Sequence, residues 1–255
     1  MGNKRGPDFI IAGAPRAGTT WLYHLLARHP QIVMNQPVKP EPKFFLIDEL
    51  YKLGLEYYGP TWFPQAEAHR LWGEKSTNYL ESPEVASRIY HCLPKVKLIF
   101  ILREPGARAF SNYLWSRMNG LENKDFATAL ALEEKRGQQL PADLKYSRPY
   151  DYLSRGLYAE LLRPYFALFP KTQILCLKYE DILTNPQNLT ELLHKFLGVQ
   201  VRPQDCQGLG VINPSEKDDV SLPPEVRKML AAYYAEPNRQ LAELLGDDFE
   251  VWHDQ

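Results

Sequence analysis

Three apolar runs, Phe9–Ala14, Val96–Leu102 and Gln173–Leu177, set the frame of this chain. None alternates apolar with polar residues, and each ends in polar or turn-forming ones. That pattern predicts strands buried on both faces, as in a parallel sheet covered by helices. A weaker strand, Arg70–Glu74, falls between the first two. Between the strands the apolar period lengthens to that of a helix. Helices are predicted over Thr20–Arg28, Pro83–Cys92, Pro105–Met118, Phe126–Arg136, Tyr152–Phe169, Pro186–Leu197 and Pro223–Tyr234. Ser82 is placed as an N-cap with Pro83 at the first helical position. Pro164 should kink or split the helix that contains it. Strand and helix in repeated alternation predict an α/β fold: a P-loop-like three-layer sandwich with a central parallel sheet flanked by helices.

Length and composition narrow this little but usefully. The chain has 255 residues, 44% of them hydrophobic, and reads as a single domain over 1–255. Lys and Arg number 30 against 31 Asp and Glu, so there is no broad basic footprint for nucleic acid. Any anion must be met by a local group of cations. Cys92, Cys176 and Cys206 are far apart and lack metal-ligand spacing, which suits a reducing compartment. The first apolar run is too short for a signal core or a membrane span, so a soluble cytoplasmic protein is expected. The proline-rich stretches Gln36–Pro42 and Pro203–Pro224 read as ordered surface loops.

Chemistry concentrates where the first strand ends. In Gly13-Ala-Pro-Arg-Ala-Gly-Thr-Thr-Trp21 the two glycines keep Walker A spacing, yet Thr19 and Thr20 stand where Lys-Thr would be. Backbone N–H groups and a helix N-terminus would still converge there on a phosphate, with Arg16 adding charge and the threonines adding hydroxyls. The second strong strand ends in Arg103 rather than a Mg²⁺-binding aspartate, and Ser111 follows eight residues later. A cation at a strand end with a hydroxyl two turns into the next helix can bracket a second phosphate.

These residues resemble the sulfotransferases that use 3′-phosphoadenosine 5′-phosphosulfate (PAPS), and the likeness covers most of the chain. Residues 13–21 are similar to the family's 5′-phosphosulfate loop, and Arg103 with Ser111 to its 3′-phosphate motif. Glu74-Lys-Ser-Thr-Asn-Tyr79, Gly156-Leu-Tyr158 and Tyr179-Glu-Asp-Ile-Leu-Thr-Asn-Pro186 also resemble family segments. The likeness is closer to the heparan-sulfate and protein-tyrosine branch, with its bacterial relatives, than to the steroid and phenol branch. It implies a nucleotide site made by Pro15, Arg16, Ala17, Gly18, Thr19, Thr20, Trp21, Arg103, Ser111 and Tyr179, with Trp21 stacking on adenine and Tyr179 as a second candidate ring. Arg16 stands where many members carry lysine, and Lys75 matches a lysine beside the transferring group. Lys39-Pro-Glu-Pro-Lys-Phe-Phe45 is similar to the segment bearing the glycan enzymes' catalytic glutamate, which makes Glu41 the base. Pro40 departs from the usual spelling, and Glu74 is the other candidate. The late 3′-phosphate loop departs further: Lys217 stands among acids without the family's glycine.

The expected reaction moves a sulfuryl group from PAPS to an acceptor hydroxyl or amine, leaving 3′,5′-ADP. Neither a metal nor a covalent enzyme intermediate is expected. The resemblance favours a saccharide acceptor, and a small metabolite stays open. The loops Asp48–Gln65 and Gly120–Tyr150 are read as lining the acceptor cleft. Two alternatives are a P-loop kinase-like phosphotransferase, disfavoured by Thr19 and Arg103, and a nucleotide-binding protein without catalysis, disfavoured by Arg16, Glu41 and Lys75 occurring together.

Overall fold

A computed structural model describes residues 5–64, 70–141, 144–210, 221–246, 249 and 251–252. In chain order the elements are β1 (Phe9–Gly13), α1 (Thr19–Ala27), β2 (Ile32–Met34), α2 (Asp48–Tyr51), α3 (Gly54–Trp62), β3 (Leu71–Lys75), α4 (Pro83–Cys92), β4 (Lys97–Leu102), α5 (Pro105–Met118), α6 (Phe126–Ala131), α7 (Glu133–Gln138), α8 (Tyr158–Leu168), β5 (Ile174–Lys178), α9 (Glu180–Thr184), α10 (Pro186–Leu197) and α11 (Pro224–Leu245). By internal contacts they fall into two compact units. One comprises residues 1–102 with 164–212, the other residues 103–163 with 213–255.

The first unit is built on a five-stranded parallel sheet in the order β2-β3-β1-β4-β5. Strand β1 and, beyond Lys97, strand β4 carry no polar side chain because both faces are covered, with every residue of β1 buried. In register, Phe9 faces Gly73, Ile10 faces Glu74 and Ile11 faces Lys75. Gly73 admits the Phe9 ring: a Cβ there would lie 2.2 Å from its Cζ. All five strands run the same way, so their carboxyl ends share one edge, and the strand order reverses at β1. Ligands of open α/β sheets bind at such an edge. Helix α10 closes this unit with both end signals its sequence carries, Asn185 accepting from the Asn188 N–H and Gly198 ending it at φ 77°.

The second unit has its own apolar core, formed by Phe110, Tyr113, Phe126, Leu130, Tyr152, Leu230 and Tyr234 with smaller neighbours. Helix α5 opens under Glu104, whose carboxylate accepts from the Gly106 N–H at 2.8 Å, with Pro105 at the first position. Glu133 gathers the backbone N–H groups of Tyr152 and Ser154, both at 2.9 Å, and that of Leu153.

Several expectations needed correction. Strand β2 has three residues and was not predicted. The loop read over Asp48–Gln65 contains α2 and α3, and Gly120–Tyr150 contains α6 and α7. The helix predicted over Phe126–Arg136 is two, α6 and α7, broken at Leu132. The helix predicted from Tyr152 begins only at Tyr158, after a 3-10 turn at Ser154–Gly156, and Pro164 lies inside it without ending it. Helix α11 starts one residue later than predicted and runs on to Leu245, past Pro237. Ser82 occupies the N-cap of α4 without a side-chain cap bond. No helix among the described residues is long and apolar enough to cross a membrane.

Candidate active site

The loop between β1 and α1 is shaped by backbone conformation before any side chain acts. Arg16 has φ 67° and Gly18, the N-cap of α1, has φ 88°. Glycine is required at 18 for a second reason. A Cβ there would meet Ile182 Cδ1 at 2.7 Å and Tyr179 Cδ2 at 2.9 Å. The segment after β5 therefore packs directly on the loop. A glycine cap leaves the first N–H groups of α1 without a capping side chain, and those donors with the positive helix end favour an anion.

Within this loop Ala17 and Thr19 are buried, while Pro15, Arg16, Gly18 and Thr20 are half-buried. Ala14 N–H bonds to the Ile101 carbonyl at 2.8 Å, tying the loop's start to β4. Trp21 is only 4% exposed, so Tyr179, half-buried against Gly18, is the aromatic side chain with more surface to offer a base.

Along the same strand-end edge a second group assembles. Lys75, the last residue of β3, pairs its Nζ with Glu41 Oε1, and the lysine is buried. The other oxygen, Glu41 Oε2, accepts from the Thr77 N–H and the Thr77 hydroxyl, both at 3.0 Å. The segment carrying Glu41 is fixed on both sides of it. Upstream, buried Asn35 accepts from Lys75 N–H through Oδ1 at 2.9 Å and donates through Nδ2 to the Pro37 carbonyl at 3.0 Å. Downstream, Lys43 N–H donates to Ser76 Oγ at 2.9 Å and Phe45 N–H to Tyr79 Oη at 3.2 Å. A carboxylate with a fixed cation and two fixed donors retains lone pairs for a substrate proton.

Glu74 lies elsewhere. It precedes Lys75 on β3, so its side chain leaves the opposite face, and it is 0% exposed. Tyr58 Oη donates to its Oε2 at 2.6 Å. Burial pushes the Glu74 carboxyl up to about 7, against the pull of the Ser76, Tyr58 and Tyr79 hydroxyls, with Glu41's charge adding to the rise. The phenols of Tyr58 and Tyr79 are held well above their ordinary range, chiefly by burial and then by Glu74.

The second unit carries Arg103, half-buried, and Ser111, buried on α5. The Arg103 carbonyl accepts from Tyr158 Oη at 2.9 Å. Lys217 lies outside the described residues. Sequence reasoning gave no role to Asn35 or Thr77. Asn35 signals itself only as the polar residue ending a short apolar run, and Thr77 only as part of the 74–79 segment.

One histidine cluster could suggest a metal: ligand atoms of His29, His194 and Asp205 lie within 4.8 Å of one another. The acceptor nitrogens of both rings are already used. His29 Nδ1 accepts from Gln31 N–H, so its Nε2 bears the hydrogen given to the Gln200 carbonyl. His194 Nδ1 accepts from Arg202 N–H, and burial pushes this imidazole down to about 4. Asp205 pairs with Arg202 at 3.2 Å. The cluster ties the segment after α1, and α10 itself, to the segment after α10.

The sequence profile of the sulfotransferase domain family matches residues 6–209. Human bifunctional heparan sulfate N-deacetylase/N-sulfotransferase 3 is 30% identical over 76% of this chain, which spans 22% of that longer protein. Mouse heparan sulfate glucosamine 3-O-sulfotransferase 6 is 28% identical over 97% of the chain and 74% of its own length. A solved sulfotransferase from Alicyclobacillus acidocaldarius superposes with a TM-score of 0.77 at 27% identity, covering 94% of this chain and 96% of that one.

Proposed function

Because this chain belongs to the sulfotransferase domain family, we propose that it transfers a sulfuryl group from PAPS to an acceptor hydroxyl or amine by in-line displacement. The observation that carries the reading is the Glu41 carboxylate, held by Lys75 and Thr77 at the same sheet edge as the anion-shaped loop.

The loop and the start of α1 receive the 5′-phosphosulfate, with Arg16 directed to the departing oxygen. Arg103 and Ser111 bind the 3′-phosphate, Trp21 and Tyr179 flank adenine, and Lys217 adds a further cation. These roles rest on the resemblance of these segments to those of the family. Glu41 accepts the proton of the attacking group as the new bond to sulfur forms. The bond from sulfur to the bridging oxygen breaks, and its electron pair stays on the 5′-phosphate of 3′,5′-ADP. Arg16 stabilises that charge by hydrogen bonding, since a guanidinium does not give up its proton at neutral pH. Lys75 neutralises the transferring group, and the proton on Glu41 then leaves to water.

The acceptor is a saccharide hydroxyl or amine, a reading supported by the named activities of the two relatives. The two units act as one domain, and the three free cysteines favour a reducing compartment such as the cytoplasm.

The test is turnover of sulfur-labelled PAPS with glucosamine-containing oligosaccharides as acceptors, with and without chelator, beside calorimetric titration with 3′,5′-ADP and with ATP–Mg²⁺. Chelator-insensitive transfer and tight binding of 3′,5′-ADP are expected. Binding of ATP–Mg²⁺ in preference, or transfer abolished by chelator, overturns the reading.

A further inference from the structure

Behind the Glu41–Lys75 pair stands a carboxyl for which the reaction as described has no use. Glu74 has no exposed surface and interacts with the hydroxyls of Tyr58 of α3 and of Tyr79 and Ser76 of the segment after β3, and with the charge of Glu41. The same tyrosines grip the segment that carries Glu41. The Tyr58 ring contacts Phe44 at 4.9 Å, the Tyr79 ring contacts Phe45 at 5.8 Å, and Tyr79 Oη accepts from Phe45 N–H. One cluster therefore holds both carboxyls in fixed relation.

Resting on the assignment of Glu41 as base, we propose that Glu74 is a positioning residue whose buried charge governs how readily Glu41 takes the acceptor's proton. A buried carboxyl that interacts with a carboxylate already charged resists ionisation. Glu41 has Lys75 and Thr77 to hold its charge, whereas Glu74 has only hydroxyls, so the penalty falls on Glu74. Burial first, and Glu41's charge in addition, carry its titration to about 7. Such a coupling is reciprocal, so an ionised Glu74 acts back on the charge that Glu41 carries. When the acceptor's proton reaches Glu41 Oε the repulsion vanishes, so an ionised Glu74 favours the transfer. No bond to Glu74 changes.

Reciprocity lets the effect be measured without an acceptor. Isotope-labelled glutamate carboxyl carbons are followed by NMR through a pH titration of the nucleotide-free protein. One carboxyl should titrate near 7. Its signal should be missing in Glu74→Gln and move to higher pH in Tyr58→Phe, which removes a donor to the charged form. In Glu41→Gln it should move to lower pH by a few tenths of a unit or more. Glu41→Ala repeats the measurement should the glutamine variant fold poorly by circular dichroism. An unchanged midpoint in the Glu41 variants, or no carboxyl titrating near neutrality, overturns the inference. Labelled-PAPS turnover by the wild type judges the functional reading separately, so either can fail alone.

Discussion

In the ion pair between Lys75 and Glu41 the lysine is the sealed partner, 1% exposed against 15% for the glutamate. The cation cannot wander to solvent, and the carboxylate presents its free edge outward. A surface pair would exchange its partners with water and contribute little. This pair is a fixed electrostatic element, and the first two expectations follow from it.

Glu41→Gln keeps the shape of the side chain and most of its contacts but accepts no proton. Turnover of PAPS should fall by roughly two to four orders of magnitude. The affinity for 3′,5′-ADP, read by calorimetry, should stay within a few-fold of wild type. Near-normal turnover would remove Glu41 from the role of base.

Lys75→Met leaves Glu41 facing Thr77 alone. Severing a wholly buried pair costs about 3–5 kcal/mol, and the water reaching Glu41 should reduce this to about 2 kcal/mol in urea unfolding. The double variant with Glu41→Gln should recover part of the loss. A purely additive cycle would show that the pair carries no coupling.

Gly18→Ala places a methyl group at φ 88° and within 2.9 Å of Tyr179 and Ile182. A loss on the order of 1–2 kcal/mol is expected, together with weakened binding of 3′,5′-ADP. A variant with wild-type stability and affinity would mean that the loop and the segment after β5 are not in contact in solution.

Glu74 gives stability an unusual slope with pH. Its folded carboxyl titrates near 7, above its ordinary value of 4.5. As pH rises between these values the unfolded chain releases the proton and the folded chain retains it, so this contribution is full at low pH and declines up to about 7. Linkage puts the loss on the order of 3 kcal/mol. Glu74→Gln should gain stability relative to wild type as urea melts are taken from pH near 5 to pH near 8. A difference independent of pH would contradict the buried ionisation.

The strands could be read from sequence because burial on both faces writes itself as apolar residues without alternation, as in Phe9–Gly13 and in β4 after Lys97. Strand β2 has only Ile32, Val33 and Met34 to announce it, too few for any period to register. Helices α2 and α3 were hidden by Gly54, at φ 74°, and by Pro60, residues that ordinarily mark loops. The split between Glu74 and Lys75 was implicit in the two-residue period of a strand. The meeting of Glu41 with Lys75 was not, because nothing local specifies which distant loop reaches a strand end. Only resemblance to a family pointed to it, and Asn35, which anchors that loop, had no such guide.

The packing of Tyr179 and Ile182 against Gly18 also orders events during synthesis. Strand β1 and its loop leave the ribosome early, whereas the residues that wall the loop follow β5, near the far end of the sheet's sequence. A growing chain that has paired β1 with β3 and β4 still lacks the residues that pack on Gly18. Closing so long a loop comes late in folding. The contact that walls the β1–α1 loop is thus among the last that the sheet's sequence can supply.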